Sequence, residues 1–171
     1  MSATQTVPSL SIVRDSHQVV QVFLCEKFEI DQMLKQEPSP IFSGPKAERN
    51  VRGSIVNTCS LAGFAVLANL SAYTSTKHAV LVLTRVDARQ YAPHQIRVNS
   101  VCPGFVPTPL MTGAGMGEGF LKATKAESPQ NRLTDPEEIA EAVVFLSGST
   151  AAAITGVNLS VDSGAGLFHV Y

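Results

Sequence analysis

Apolar residues recur every three to four positions over residues 19–35, where Val20, Phe23, Leu24, Phe28 and Leu34 are separated by charged and polar side chains. That period predicts a helix with one apolar face. Upstream of it the chain is polar and aperiodic, and residues 1–18 read as a loose N-terminal tail. EPSPIFSGPKAERNVRG, residues 37–53, holds three prolines and two glycines and reads as a loop, long for a connection inside one domain. SIVNTC, residues 54–59, is a short β-rich run followed by the small residues Ser60, Ala62 and Gly63. From Ser71 to about Tyr91 the helical period returns, with Ala72, Ala79, Val80 and Leu83 apolar. IRVNSVC, residues 96–102, reads as a second strand, stopped by Pro103 and Gly104. Residues 105–132 are rich in proline and glycine and read as an irregular segment. Thr134-Asp135-Pro136-Glu137 is a helix start, a capping box with proline in the first turn. Ile139, Ala142, Val143 and Leu146 give that helix one apolar face. GVNLSVD, residues 156–162, is a third strand.

The order is helix, strand, helix, strand, helix, strand. Strands alternating with helices of this length imply an α/β fold, with right-handed crossovers, a parallel sheet and helices on its faces. Ligands of such sheets bind outside the carboxyl ends of the strands. Ser60, the Pro103-Gly104 pair and the end of the third strand would therefore share one rim.

Composition narrows the function classes. Thirteen Lys and Arg against 14 Asp and Glu, a formal net charge of −1, argue against a nucleic-acid or anionic-membrane partner, which needs a basic patch. No apolar run approaches the roughly 20 residues that cross a bilayer. The start of the chain lacks the basic and apolar stretches of a secretory or transit signal. Cys25, Cys59 and Cys102 are an odd number, each in an apolar segment, and read as buried free thiols in a reducing, cytoplasmic setting. The four histidines are scattered, and no metal is expected.

Tyr73 and Lys77 stand at i and i+4, on one helix face, one turn apart. An ammonium beside a phenol favours phenolate, which lowers the phenol's pKa from about 10 toward the working range of an acid/base group. Alone, Y-x-x-x-K equally describes an exposed helix pair. Ser60 lies 13 positions before Tyr73, at the end of the first strand, where a hydroxyl can bond the oxygen that the tyrosine protonates. Alone, it equally describes a turn or cap residue.

SIVNTCSLAGF, SAYTSTKHAV, RVNSVCPGFVPT and TGVNLSVDSG, in this order and spacing, resemble the carboxyl-terminal part of the short-chain dehydrogenase/reductase family. The resemblance covers roughly residues 19–166. It implies a truncated Rossmann-like domain over residues 19–171, with a parallel sheet and flanking helices. It also implies an NAD- or NADP-dependent oxidoreductase, with NADP the preferred of the two, acting on a small-molecule carbonyl or alcohol. By resemblance, Tyr73 is the catalytic acid/base, Lys77 lowers its pKa and bonds the nicotinamide ribose, and Ser60 orients the substrate oxygen. Pro103, Gly104, Val106 and Thr108 match the segment over the nicotinamide, residues 109–132 the variable substrate loop, and the 71–91 helix a homo-oligomer interface. The cofactor supplies the hydride and the protein positions it.

The chain departs from that family in two places. A complete member opens with a strand and a T-G-x-x-x-G-x-G turn that holds the pyrophosphate at a helix N-terminus, and nothing before residue 19 matches. Thr112 to Gly119 fit that pattern letter for letter, but they follow Pro107, Thr108 and Pro109, a poor strand, and read as lid glycines. The family's catalytic asparagine would fall near Gln18, where HQVVQ has none. Without a preceding half, the SIVNTC strand is an unpaired apolar edge. Two readings follow: the catalytic half of an oxidoreductase, or a non-catalytic relative that partners a full-length subunit. A hydrolase built on Ser60 is set aside, since no G-x-S-x-G elbow surrounds it.

Overall fold

A computed structural model of the chain describes residues 9–41, 50–109 and 118–168. Three parallel strands form the sheet: β3 (Gly53–Thr58), β4 (Ile96–Pro103) and β5 (Asn158–Val161), in that spatial order. Gly53 pairs with Ile96 at one end of the β3–β4 ladder and Thr58 with Val101 at the other; Ser100 to Pro103 pair with Asn158 to Val161. Ahead of the sheet, β1 (Ser39–Pro40) and β2 (Asn50–Val51) make a small antiparallel pair inside the expected loop. Helices α1 (Ser9–Leu34) and α2 (Ser71–Tyr91) cover one face of the sheet. Two further helices, α3 (Glu118–Glu127) and α4 (Pro136–Ser147), lie in the connection from β4 to β5, and α4 packs on the other face. The parallel α/β sheet with flanking helices is as expected, and among the described residues β3 and β5 are its two edges.

Alternation along the strands separates the two faces. Ile55, Ile96 and Val98 pack with Ile30 of α1 and Ala88 of α2. The intervening Ser54 and Arg97 reach the last turn of α4, where both donate to Leu146 O. β4 is the central strand and is buried from Ile96 to Cys102. Its polar residues bond to neighbouring elements, with Arg97 Nε left without a partner. The Arg97 guanidinium donates to the carbonyls of Leu146 (2.7 Å), Ser147 (3.2 Å), Gly148 (3.1 Å) and Ile154 (3.2 Å). It thus closes the carboxyl end of α4, where a helix leaves its last carbonyls without partners. Asn99, fully buried, donates to Ile154 O (3.0 Å) and accepts from Val157 N (3.1 Å), which sets the entry into β5.

Four expectations are corrected. First, α1 begins at Ser9, so residues 9–18 are helical; Leu10 and Val13 carry the three-to-four spacing upstream of residue 19. Second, the apolar stripe expected to face the core faces outward: Val20, Phe23, Leu24 and Phe28 are exposed, Phe28 by 67%. The helix turns Val19, Val22, Glu26, Ile30 and Met33 inward instead. It has two apolar stripes, and a carboxylate in the middle of the buried one disguised it. Third, the irregular 105–132 segment contains α3. Fourth, the capping box sits one residue later than expected. Asp135 is the N-cap, and Glu138 returns its carboxylate to Asp135 N–H (2.9 Å) while gripping Arg132 through two bonds, of 2.6 and 2.7 Å. Arg132 and the Asp135 N–H hold Glu138 down at about 2.

Glu26 is 1% exposed. Its Oε1 accepts from Asn57 Nδ2 (2.7 Å), which also donates to Thr84 Oγ1 (2.9 Å). Burial pushes its carboxyl up to about 7, against the pull of Asn57 and with the negative charges of Asp87 and Glu29. Burial raises Asp87 as well. The folded chain thus holds this proton more tightly than the unfolded one. The stabilisation is complete below the ordinary value of 4.5 and is lost as pH rises through about 7. Urea unfolding at a series of pH values should show stability falling across that window by on the order of 3 kcal/mol. Glu26→Gln keeps an acceptor for Asn57 and should flatten the slope; an unchanged slope would assign it to other groups.

Candidate functional site

The carboxyl ends of β3, β4 and β5 make one rim. At the exit of β3, Ser60 is extended (φ −170°, ψ 159°) and caps the 3₁₀ turn Leu61–Gly63, its Oγ accepting from Ala62 N–H at 3.1 Å. The cap uses a lone pair, so the Ser60 O–H remains a donor. Ser60 is therefore both a cap residue and a hydroxyl at the strand end.

Tyr73 and Lys77 lie on the first turns of α2, both half-buried. The Lys77 Nζ stands 5.5 Å from the centroid of the Tyr73 ring, within the range of a cation–π contact. Their backbone is pinned on two sides. Thr76 Oγ1 donates to Tyr73 O (2.7 Å), and the Cys59 thiol donates to Lys77 O (3.2 Å), tying the helix to the end of β3.

At the exit of β4 the chain leaves the ladder through Pro103 and Gly104, and Gly104 N–H still donates to Val161 O (3.2 Å). A Cβ on Gly104 would lie 2.8 Å from Asp162 Cβ and 2.9 Å from Asp162 Cα, so only glycine allows this approach. Thr134 N–H then holds Phe105 O (3.2 Å), and Thr108 N–H closes on Val106 O (2.8 Å). Val106 and Thr108 are half-buried.

The residues that organise this segment were not singled out in the sequence. Asp162 accepts from Gly164 N–H (2.9 Å) and Gly166 N–H (2.8 Å), fixing the turn after β5, in which Gly164 has a φ of +86°. Buried Thr134 and Ser163 exchange a hydroxyl bond (2.9 Å), and Ser128 Oγ donates to Ser163 O (2.7 Å). The readable signal was Asp162-Ser163-Gly164, the composition of an Asx turn.

Under the rim, Cys59 and Cys102 are buried free thiols, as expected; Cys25 is exposed, which corrects its assignment, because it lies outside the inward stripe of α1. Hydrogen bonding between the two buried thiols lowers Cys59 and raises Cys102, with burial adding to the rise of Cys102. Ser60 N–H and the charge of Lys77 also lower Cys59. Among the described residues no group of three His, Cys, Asp or Glu is placed to hold a metal ion, and no helix is long and apolar enough to cross a membrane. His78 bonds Thr74 O of its own helix (2.9 Å). Of the run from Thr112 to Gly119, residues 112–117 lie outside the described residues, and Glu118 and Gly119 open α3. Gln18 lies in α1 and is half-buried.

A family model described as enoyl-(acyl carrier protein) reductase matches residues 43–166. The chain is 38% identical to a short-chain dehydrogenase of Penicillium roqueforti over 141 residues, covering 82% of this chain and 51% of that protein. It is 37% identical to a 2,5-dichloro-2,5-cyclohexadiene-1,4-diol dehydrogenase of Sphingobium indicum, covering 85% and 54%. Among solved structures, ligand-free aldohexose dehydrogenase of Thermoplasma acidophilum is similar at a TM-score of 0.71 and 34% identity, over 85% of this chain and 55% of that one. A 2-deoxy-D-gluconate 3-dehydrogenase of Agrobacterium tumefaciens, described as putative and with bound NADP, is similar at 0.64 and 34%, over 70% and 48%. The chain spans about half the length of the curated relatives it matches.

Proposed function

The chain belongs to the short-chain dehydrogenase/reductase family of oxidoreductases, and we propose that it is the catalytic portion of an enzyme that moves hydride between NADP or NAD and a small carbonyl/alcohol pair. The observation that carries the reading is the Lys77 ammonium 5.5 Å from the Tyr73 ring, on the rim where the three strands end.

The rim fits the nicotinamide end of a dinucleotide. It offers a phenol, an ammonium, the Ser60 O–H and a β4 exit where Gly104 removes the side chain. Pro103, Gly104, Val106 and Thr108 would hold the nicotinamide, Val106 through its backbone and Thr108 through its hydroxyl. Lys77 would bond the ribose. The described residues include no glycine-rich turn between a strand and a helix, so they provide no seat for the pyrophosphate. When bound, the nicotinamide supplies or accepts the hydride. Tyr73 Oη gives or takes the proton on the substrate oxygen, Lys77 favours the ionised phenol, and Ser60 donates to the same oxygen. NADP is the preferred cofactor in this reading. The setting is cytoplasmic, in keeping with the free thiols.

A second reading is favoured by the outward apolar residues of the two helices on one face. Phe23, Leu24 and Phe28 of α1, with Val82 and Val86 of α2, are exposed. They fit an oligomer that includes the 71–91 helix, in which this chain would serve as a non-catalytic partner of a full-length subunit. Titration of the folded chain with NADPH and NADH, followed by fluorescence, separates the two. Binding, weakened by the missing pyrophosphate contacts, is expected for the catalytic reading. A folded chain that binds neither nucleotide would overturn it in favour of the partner reading.

A further inference from the structure

Two thiols outside the proposed reaction face each other beneath the rim. Cys59 N–H donates to Val101 O (2.8 Å), which continues the Thr58–Val101 register and sets Cys59 opposite Cys102. Both side chains enter one cluster with Val80 and Leu81 of α2. Cys59 is held by Lys77 O at 3.2 Å, and Cys102 by Ser100 Oγ at 3.7 Å. Adjacent strands run about 4.8 Å apart, inside the Cα range that a disulfide spans.

We propose that Cys59 and Cys102 form an oxidation site that a small hydroperoxide closes to a reversible disulfide. Cys59 is the attacking thiol. It is 5% exposed against 0% for Cys102, it adjoins half-buried Ser60 at the rim, and Lys77 favours its thiolate. Its sulfur attacks the peroxide, the O–O bond breaks, hydroxide leaves, and Cys59 becomes a sulfenic acid. The Cys102 sulfur then attacks the Cys59 sulfur. The S–S bond forms, the S–O bond breaks, and the Cys102 proton leaves with the oxygen as water. In sum, two thiols lose two electrons and two protons, and one hydrogen peroxide becomes two waters. In-register parallel strands hold Cβ atoms farther apart than a relaxed bridge prefers, so the bond is strained and readily reduced. Its closure takes the Cys59 hydrogen bond away from Lys77 O, at the base of the pair that carries the proposed chemistry. The oxidation needs no bound nucleotide.

The test uses the full chain carrying Cys25→Ser, which removes the exposed thiol, titrated with hydrogen peroxide and read by intact mass and peptide mapping. The expected product has lost two hydrogens, contains a cross-linked 59–102 peptide pair, and returns to the starting mass with dithiothreitol. Adding Cys102→Ser should abolish the loss and leave only oxygen addition at Cys59. Oxygen additions without a cross-link in the Cys25→Ser chain, or two thiols unchanged at excess peroxide, would overturn the proposal. Both outcomes are read without the Cys102 variant, so its folding does not limit the test.

Discussion

Arg97→Met should lower the unfolding free energy by about 3 kcal/mol, measured by urea denaturation of the two chains side by side. Methionine fills much of the arginine's apolar volume, so the loss reports the guanidinium. That group is 7% exposed, and no carboxylate pairs with it among the described residues. Burial pulls its pKa below the ordinary value, and the charge is held by four carbonyls alone. Three of them, on Leu146, Ser147 and Gly148, close the end of α4, and the fourth, on Ile154, begins the run to β5. Removing the donor takes away all four charge-assisted bonds and leaves Ser147 O with no other donor among the described residues, while Leu146 O keeps Ser54 Oγ, Gly148 O keeps Ala151 N–H and Ile154 O keeps Asn99 Nδ2. A loss below about 1 kcal/mol would mean that water reaches those carbonyls when the side chain is gone.

Tyr73→Phe should cut turnover by about two to four orders of magnitude while leaving the melting temperature unchanged. The variant keeps the ring against which the Lys77 ammonium rests and removes only the oxygen that would carry the proton. The readout is NADPH absorbance in the form of the protein that turns over, beside a thermal melt of the same preparation. Activity retained within about tenfold would remove Tyr73 from the acid/base role, because positioned proton transfer is worth at least about a hundredfold. A fall in activity that tracks a fall in melting temperature would assign the tyrosine to packing.

Much of the fold is legible because its period is clean. α2 occupies Ser71–Tyr91, as its apolar spacing predicts, and the three parallel strands fall within two residues of the expected runs. α1 shows where periodicity misleads. Its outward stripe of valine, leucine and phenylalanine is the more hydrophobic one, whereas the buried stripe contains Glu26, which is tolerable only because Asn57 from β3 reaches it. That partner is 31 residues away in sequence and no local pattern announces it. α3 hides in a stretch where glycine and proline dominate the composition. At the site, Tyr73, Lys77 and Ser60 were legible because their spacing is local. Thr134, Asp162 and Ser163, which hold the 103–108 segment, were not: their bonds join the β4 exit to the turn after β5, and only the packed sheet brings those ends together.

The close approach of Gly104 to Asp162 has a consequence for motion. With no side chain between them, a shift of either backbone toward the other is opposed at once, since Gly104 has no flexible atoms to give. The turn Ser163–Gly166 is pinned to the Asp162 carboxylate, and the 103–108 segment meets it through the Gly104 contact and the bond from Gly104 N–H to Val161 O. A ligand that pushes the β4 exit toward Asp162 therefore presses directly on the turn after β5.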